Sequence, residues 1–273
     1  MGGLSMTMQA DSDGRVVEVE GLEVHYGNHK VLDGIDLQVN AGEIMVIMGG
    51  SGSGKSTLLR TLLGLKEASA GSVKLLGKPF DARHPENLRQ VRRRIGVAFQ
   101  GGALLSSLTV GENIRLPLRH HARLDESTMA VMTRMKLEMV NLPGTENLMP
   151  AQLSGGMVKR AALARALIMD PALMFFDEPS AGLDPVTSAE LDELILRLRD
   201  TTGTTIVVVT HELESTFSIA DRITMLGGGK VLMSGSVDEV RNSSDPQIQN
   251  LLNRRPNLEQ PDPDAYLRRL TGN

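Results

Sequence analysis

The sequence predicts an α/β layered domain on a mainly parallel sheet, with an N-terminal antiparallel β part and an inserted α-helical subdomain. Three observations carry this. Strand-like apolar runs alternate with helix-like segments. A glycine-rich turn, Gly49-Gly50-Ser51-Gly52-Ser53-Gly54-Lys55-Ser56-Thr57, lies at the carboxyl end of the run Ile44–Met48 and leads into the helix-like Leu58–Leu63. From Gly101 to about Met169 the texture changes to helices and loops.

Val16–Glu20 and Leu22–Tyr26 alternate apolar and polar residues, as half-buried strands do, and Ile35–Val39 alternates again before the turn Asn40–Glu43. Ser72–Leu76 is a further short strand. Pro79–Arg94 is polar and basic, a loop and a helix whose Arg92-Arg93-Arg94 reads as a solvated helix end. Ile95–Phe99 is a buried strand closed by Gln100. Thr128–Val140 carries Met129, Met132, Met135 and Met139 with Val131 and Leu137, spacings that mark one helix face, either an adaptable docking surface or, the favoured reading, simple core packing. Val158–Leu167 has strong helix propensity, with Ser154 predicted as its N-cap. Leu173–Phe176 runs into Asp177-Glu178, and Pro185 opens a helix through Arg199. Thr204–Val209 is a β-branched strand ending at Thr210-His211-Glu212, Ile223–Met233 reads as two strands around Gly227-Gly228-Gly229, and Val237–Val240 begins a short helix. Beyond Asp245 the core pattern is lost; Pro256, Pro261 and Pro263 favour an extended arm over a packed element, with a small apolar anchor at Tyr266, Leu267 and Leu270, and the segment reads either as an arm docking on another subunit or as a disordered tail.

Bulk properties exclude several functions. The 273 residues suffice for one large domain with a subdomain, and 41 % are hydrophobic. The net charge of −4 gives no global field toward nucleic acid, so no nucleic-acid partner is expected. With no cysteine, disulfides, thiolate metal sites and cysteine nucleophiles are excluded. No apolar run approaches the ~18–20 residues that span a bilayer. Residues 1–14 read as a disordered leader without a secretory layout, and Met6 stands where a myristoylation signal needs Ser or Thr. The expectation is a cytosolic chain that reaches a membrane only through a partner. The pair His120-His121 lacks acidic ligands at useful spacing for a metal site.

The glycine-rich turn fits G-x-x-x-x-G-K-[ST] at every fixed position. Glycines let backbone amides wrap an anion, and the following helix N-terminus adds partial positive charge. Lys55 is expected to reach the outer phosphates and Ser56 to offer a hydroxyl to Mg²⁺. Gly155 and Gly156 expose amides at a second helix start. Asp177 at a strand end can hold Mg²⁺, and Glu178 can act as general base. Two residues stay open on this ground alone: Tyr26 either stacks on a base or covers a core edge, and His211 either meets a phosphate or is an ordinary surface histidine.

Taken in order, these motifs resemble the ATP-binding subunits of ABC transporters over about residues 16–245. Gly49–Thr57 resembles Walker A, Gln100 the Q-loop, Leu153–Met157 the family signature, Leu173–Glu178 Walker B, Ser180–Asp184 the D-loop and His211 the switch histidine. The resemblance implies an ATPase domain at 15–245, a helical subdomain at about 101–169 and a C-terminal extension at 246–273. It implies ATP and Mg²⁺ as cofactors, with Tyr26 on adenine, Gly49 to Thr57 on the phosphates, and Ser154, Gly155, Gly156 and Asp184 serving nucleotide from a second copy. Ser56, Gln100 and Asp177 would hold the metal, and Glu178, His211, Lys55 and Gln100 would carry catalysis in a homodimer. The fifth signature residue, usually Gln, is Met157 here. Met157, Phe99–Leu104, Ser218–Asp221 and the proline-rich arm resemble the narrower Mla/Mce-type ATPases of phospholipid trafficking. That group implies Mla-type integral membrane permease subunits, a STAS-domain regulatory subunit, an MCE-type lipid-binding protein and a place on the cytoplasmic face of the inner membrane. The alternatives are an ABC ATPase of another importer, for amino acids, ions or other small solutes, or a non-transport ABC ATPase.

Overall fold

The computed structural model describes residues 14–253. The leader up to Asp13 and the arm from Arg254, with its Tyr266 anchor, lie outside the described residues.

The chain opens with β1 (Arg15–Tyr26), β2 (His29–Asn40), β3 (Ile44–Gly49), α1 (Lys55–Leu62), β4 (Ala70–Leu75), β5 (Lys78–Pro79), α2 (Pro85–Arg92) and β6 (Ile95–Ala98). The helical insertion holds α3 (Val110–His121), α4 (Glu126–Met139), a single 3₁₀ turn (Pro150–Gln152) and α5 (Gly155–Leu167). Then follow β7 (Leu173–Asp177), α6 (Pro185–Thr202), β8 (Thr205–Val209), α7 (Leu213–Ile219), β9 (Arg222–Gly227), β10 (Lys230–Ser236), α8 (Val237–Arg241) and α9 (Pro246–Leu252). Among the described residues two sheets form, an antiparallel one in the order β2-β1-β4-β5 and a six-stranded one in the order β10-β9-β3-β8-β7-β6. In the larger sheet only β10 is antiparallel to its neighbour.

The larger sheet separates two cores, and strand alternation assigns residues to each. Ile44, Val46 and Met48 of β3 face the helical insertion and α6, while Met45 and Ile47 face α1 and the antiparallel sheet. Met174 and Phe176 of β7 oppose Leu173 and Phe175 in the same way. Both faces are covered, so these strands read as continuous apolar runs rather than alternating ones. Phe175 and Phe176 are among the largest fully buried side chains, each contributing about 2–3 kcal/mol by burial.

The two predicted N-terminal strands are one, β1, which bends through register shifts between Val19 and Leu22. The methionine face is narrower than its spacing suggested. In α4, capped by Asp125, Met129 and Leu137 are buried and Met132 and Met139 pack at the core's edge, while Val131 and Met135 are exposed. Positions 131 and 135 lie one turn apart on the far edge of the helix. At the C-terminal side, ordered packing continues past Asp245: Asp245 caps α9, Ile248 is buried, and Leu251 and Leu252 pack against the core.

Strand register places the functional loops in line. Ile47 of β3 pairs with Val209 of β8, Val209 with Asp177 of β7, and Phe176 with Ala98 of β6. The loops that leave these strands at Gly50, Thr210, Glu178 and Phe99 therefore emerge side by side at the carboxyl edge, where doubly wound sheets bind ligands.

Candidate active site

The phosphate loop is shaped by sterics at two glycines. A Cβ on Gly49 would lie 2.3 Å from the Leu226 carbonyl oxygen and 2.6 Å from Ser53 Oγ. Gly54 starts α1 at φ +102, and a Cβ there would strike Leu32 at 2.5 Å. Lys55 Nζ donates to the carbonyls of Gly49 at 2.7 Å and Gly50 at 3.1 Å, so the ammonium rests on its own loop. Burial pushes that ammonium below its ordinary pKa, and the carboxylates of Glu178 and Asp177 oppose the shift.

Glu178 follows β7 with φ +48, a left-handed conformation uncommon for a side-chain-bearing residue. Its N–H donates to the Val209 carbonyl at 2.8 Å. Thr210 Oγ1 donates to Glu178 Oε2 at 3.0 Å, and His211 Nδ1 meets Oε1 at 2.8 Å. Both carboxylate oxygens are thus held from the end of β8. The neighbouring Asp177 carboxyl is raised, first by burial and then by Glu178, with Arg60, Lys159 and Lys55 opposing.

A cleft of about 470 Å³ joins these parts, lined by Gly49, Gly50, Ser51 and Lys55 on one side and Glu178 and His211 on the other. Leu213, Met225 and Leu251 supply apolar wall. Within the cradle, Ser53 Oγ is buried without a hydrogen-bond partner. A buried hydroxyl without a partner, a lysine resting on carbonyls and glycines whose Cβ positions are already filled together fit an anionic phosphate group. Among the described residues no cluster of three His, Cys, Asp or Glu could hold a metal; the oxygens expected from the sequence are the Ser56 hydroxyl, the Gln100 amide and the Asp177 carboxylate. Hydroxyl, amide and carboxylate oxygens suit a hard divalent cation such as Mg²⁺.

Other predicted residues lie elsewhere. Tyr26, at the end of β1, is 43 % exposed, with Lys66 Nζ 4.4 Å from its ring centroid. Ser154 caps α5, accepting from the Met157 N–H at 3.3 Å. Ser154, Gly155 and Gly156 do not line the cleft of their own chain. Met157 is half-buried against the core, and a Cβ on Gly156 would lie 2.8 Å from Thr187 Cγ2. Asp184 is the N-cap of α6: its carboxylate accepts from the N–H groups of Val186 and Thr187, each at 3.1 Å, and from Thr187 Oγ1 at 2.6 Å. The Thr187 hydroxyl is the main cause of its lowered carboxyl pKa. Sequence reasoning passed over Thr210 and Leu251. Thr210 carried a signal, a hydroxyl beside His211 at a strand end, whereas nothing local marks Leu251 as a wall of the cleft.

A separate, larger groove of about 800 Å³ lies at the β6 edge of the sheet. It is lined by Arg89, Arg92 and Arg93 around α2, Val97 of β6, His120 and His121 of α3, and Arg165 of α5. Arg165 donates to the carbonyls of Gly102, at 2.8 Å, and Ala103, at 2.6 Å.

Comparison with known proteins agrees with this geometry. The ABC transporter family matches residues 32–181, more than half of the chain. The intermembrane phospholipid transport system ATP-binding protein MlaF of Haemophilus influenzae is 38 % identical over 237 residues, covering 87 % of this chain and 90 % of that protein. MlaF of Escherichia coli K12 is 39 % identical, covering 87 % and 88 %. A protein described as the "Probable ribonucleotide transport ATP-binding protein mkl" of Mycobacterium leprae is 37 % identical over 242 residues, covering 89 % of this chain and 70 % of its own. Among solved structures, a dimeric post-hydrolysis state of the ATP-binding cassette MJ0796 bound to ADP and Pi superposes with a TM-score of 0.74 at 31 % identity, covering 81 % of this chain and 98 % of that one. The cassette cbiO1 of Clostridium perfringens superposes with a TM-score of 0.78 at 28 % identity, covering 89 % and 96 %. With its phosphate loop, carboxylate pair and parallel-sheet core in this arrangement, the chain belongs to the ABC transporter ATP-binding family and is similar within it to the MlaF proteins.

Proposed function

We propose that this chain hydrolyses ATP as the nucleotide-binding subunit of an Mla-type transporter, powering phospholipid trafficking from the cytoplasmic face of the inner membrane. The observation that carries the hydrolytic part is the single cleft that sets Lys55 opposite the Glu178–His211 pair. The phospholipid part rests on the similarity to MlaF in two organisms across nearly the full length of those proteins.

Ser56, Gln100 and Asp177 would hold Mg²⁺, which when bound neutralises charge building on the phosphate oxygens. The phosphate-loop amides and Lys55 seat the β- and γ-phosphates. Glu178, fixed by Thr210 and His211, accepts a proton from the attacking water as its oxygen bonds to the γ-phosphorus. The bond from that phosphorus to the bridging oxygen breaks, and ADP and phosphate leave. Nδ1 of His211 lies against Glu178 and Nε2 is 3.6 Å from the Glu212 carboxylate, so Nε2 turns from Glu212 to a γ-phosphate oxygen when nucleotide binds. Tyr26 stacks on adenine.

Two copies complete the site. The α5 N-terminus is an anion-binding end that stands outside its own cleft, so Ser154, Gly155 and Gly156 serve the nucleotide of the partner copy, with Asp184 shaping the loop beside them. The basic groove receives an acidic cytoplasmic segment of the permease, an assignment that follows from the charge of Arg89, Arg92, Arg93 and Arg165. A STAS-domain subunit and an MCE-type lipid-binding protein complete the assembly. The mkl similarity favours a second reading, an ABC ATPase serving a different solute.

The test is co-purification from the native membrane under mild detergent, with mass spectrometry of proteins and lipids. An Mla-type permease carrying phospholipid is expected. A permease that carries no phospholipid and releases a small solute instead would move the assignment to the second reading.

A further inference from the structure

Lys159 belongs to none of the nucleotide motifs, yet its ammonium joins two of them. It lies in α5, five residues beyond the Ser154 cap. Its Nζ donates to the main-chain carbonyl of Gln100 and, at 3.2 Å, to that of Glu178. These carbonyls belong to separate loops, one after β6 and one after β7. An ammonium carries three donors and no acceptor, so one lysine can grip both oxygens. Charge-assisted bonds of this kind are roughly twice as strong as neutral ones. The amine is half-buried, and the carboxylates of Glu178 and Asp177 help keep it charged against the opposing effect of burial.

The grip matters because the side chains concerned leave from pinned backbone. Glu178 holds a left-handed φ of +48, a conformation that persists where the surroundings over-determine it. Its N–H is tied to β8 and its carboxylate to Thr210 and His211. Its carbonyl accepts from the Ala181 N–H of its own loop at 3.3 Å and, from the helical insertion, from Lys159 at 3.2 Å. The same ammonium fixes the carbonyl of Gln100. From Ser154 to Lys159 the connection is helix, a stiff rod of about 7–8 Å. Motion of the α5 N-terminus therefore reaches the backbone of both residues.

We propose that Lys159 is a positioning residue for ATP hydrolysis, coupling the seat of the α5 N-terminus to the placement of Gln100 and Glu178. Docking of Ser154–Gly156 on a second copy's nucleotide and alignment of the water at this chain's own nucleotide are then one event. This second half rests on the dimer reading above.

The test uses the full chain with Lys159→Met and Lys159→Arg. Turnover is measured against ATP and Mg²⁺ concentration, alongside affinity for a fluorescent ATP analogue and the melting temperature. Losing two charge-assisted bonds is expected to lower kcat about tenfold in Lys159→Met while nucleotide affinity stays within about twofold. Half-saturating Mg²⁺ rises as Gln100 is released, and cooperativity in ATP flattens. Lys159→Arg, whose guanidinium also reaches two oxygens, restores kcat to within about threefold. Should Lys159→Met fail to fold, Lys159→Gln, which keeps a donor without the charge, reads the same split between kcat and affinity. A kcat in Lys159→Met within about twofold of the parent overturns the proposal. So does a joint loss of kcat, affinity and melting temperature that Arg does not rescue, the mark of a merely structural lysine. ATP-induced dimerisation of Glu178→Gln, followed by light scattering, judges the dimer reading separately. A Glu178→Gln chain that stays monomeric with ATP removes the coupling between copies, and kcat with Mg²⁺ half-saturation then decides the positioning role alone.

Discussion

Replacing Glu178 by Gln tests the proposed general base with little change of shape. The Gln carbonyl oxygen can still accept from Thr210 Oγ1, now at 3.0 Å from the carboxylate, and its NH₂ can face His211 Nδ1, now at 2.8 Å. The ties of residue 178's main chain to Val209 and to the Lys159 ammonium involve no side-chain atom of residue 178 and persist. What is lost is the proton acceptor, a loss of roughly 10²-fold or more in kcat. Charge effects act on binding in the opposite direction. The Glu178 carboxylate helps raise the Asp177 carboxyl, so its removal makes Asp177 easier to ionise and lessens repulsion toward a γ-phosphate. ATP affinity is therefore expected to hold or rise while turnover collapses. Phosphate release at saturating Mg²⁺-ATP gives kcat, a fluorescent nucleotide titration gives affinity, and a melting curve checks the fold. Turnover within about threefold of the parent, in a folded chain that binds ATP, would refute Glu178 as the base.

Four further outcomes follow from particular residues and segments. Ser154→Arg is expected to abolish turnover by setting bulk and charge in the partner's site, and mixing it with Lys55→Ala should restore part of the activity through one intact composite site; no recovery at any mixing ratio counts against shared sites. Asp192 is 5 % exposed, its Oδ1 has no partner and burial raises its carboxyl pKa. Its folded form binds protons more readily than the unfolded form, so ionisation costs stability near neutral pH and costs nothing below the unfolded carboxylate range at about pH 4. Asp192→Asn should raise the melting temperature at pH 7–8, with the gain shrinking as pH falls through the carboxylate range; an equal gain at every pH would exclude this cause. Ile248 is 1 % exposed, so Ile248→Ala should cost about 2–5 kcal/mol in denaturant unfolding. Deletion of residues 254–273 should leave that transition in place and weaken assembly with the permease, as read by pull-down.

Much of this protein was written locally in its sequence. Gly49 to Thr57 between strand and helix, Asp177-Glu178 at a strand end and the Ser154 cap are contiguous patterns. Turn sterics, capping and hydrogen bonding within a few residues shape each of them, so residue type and order suffice to find them. The buried parallel strands were legible for a related reason, since strands covered on both faces must be apolar throughout. Tertiary structure decided the rest, because those properties depend on neighbours distant in sequence. Thr210 holds Glu178 across 32 residues and Lys159 holds Gln100 across 59. Whether Val131 and Met135 face core or solvent depended on which side of α4 the insertion covers. The packing of α9, which brings Leu251 within 3.5 Å of a Cβ position on Gly50, left no local mark in the prolines and polar residues around it. Strand order set the phosphate loop beside Thr210 and Glu178. It also left the α5 N-terminus outside the cleft of its own chain.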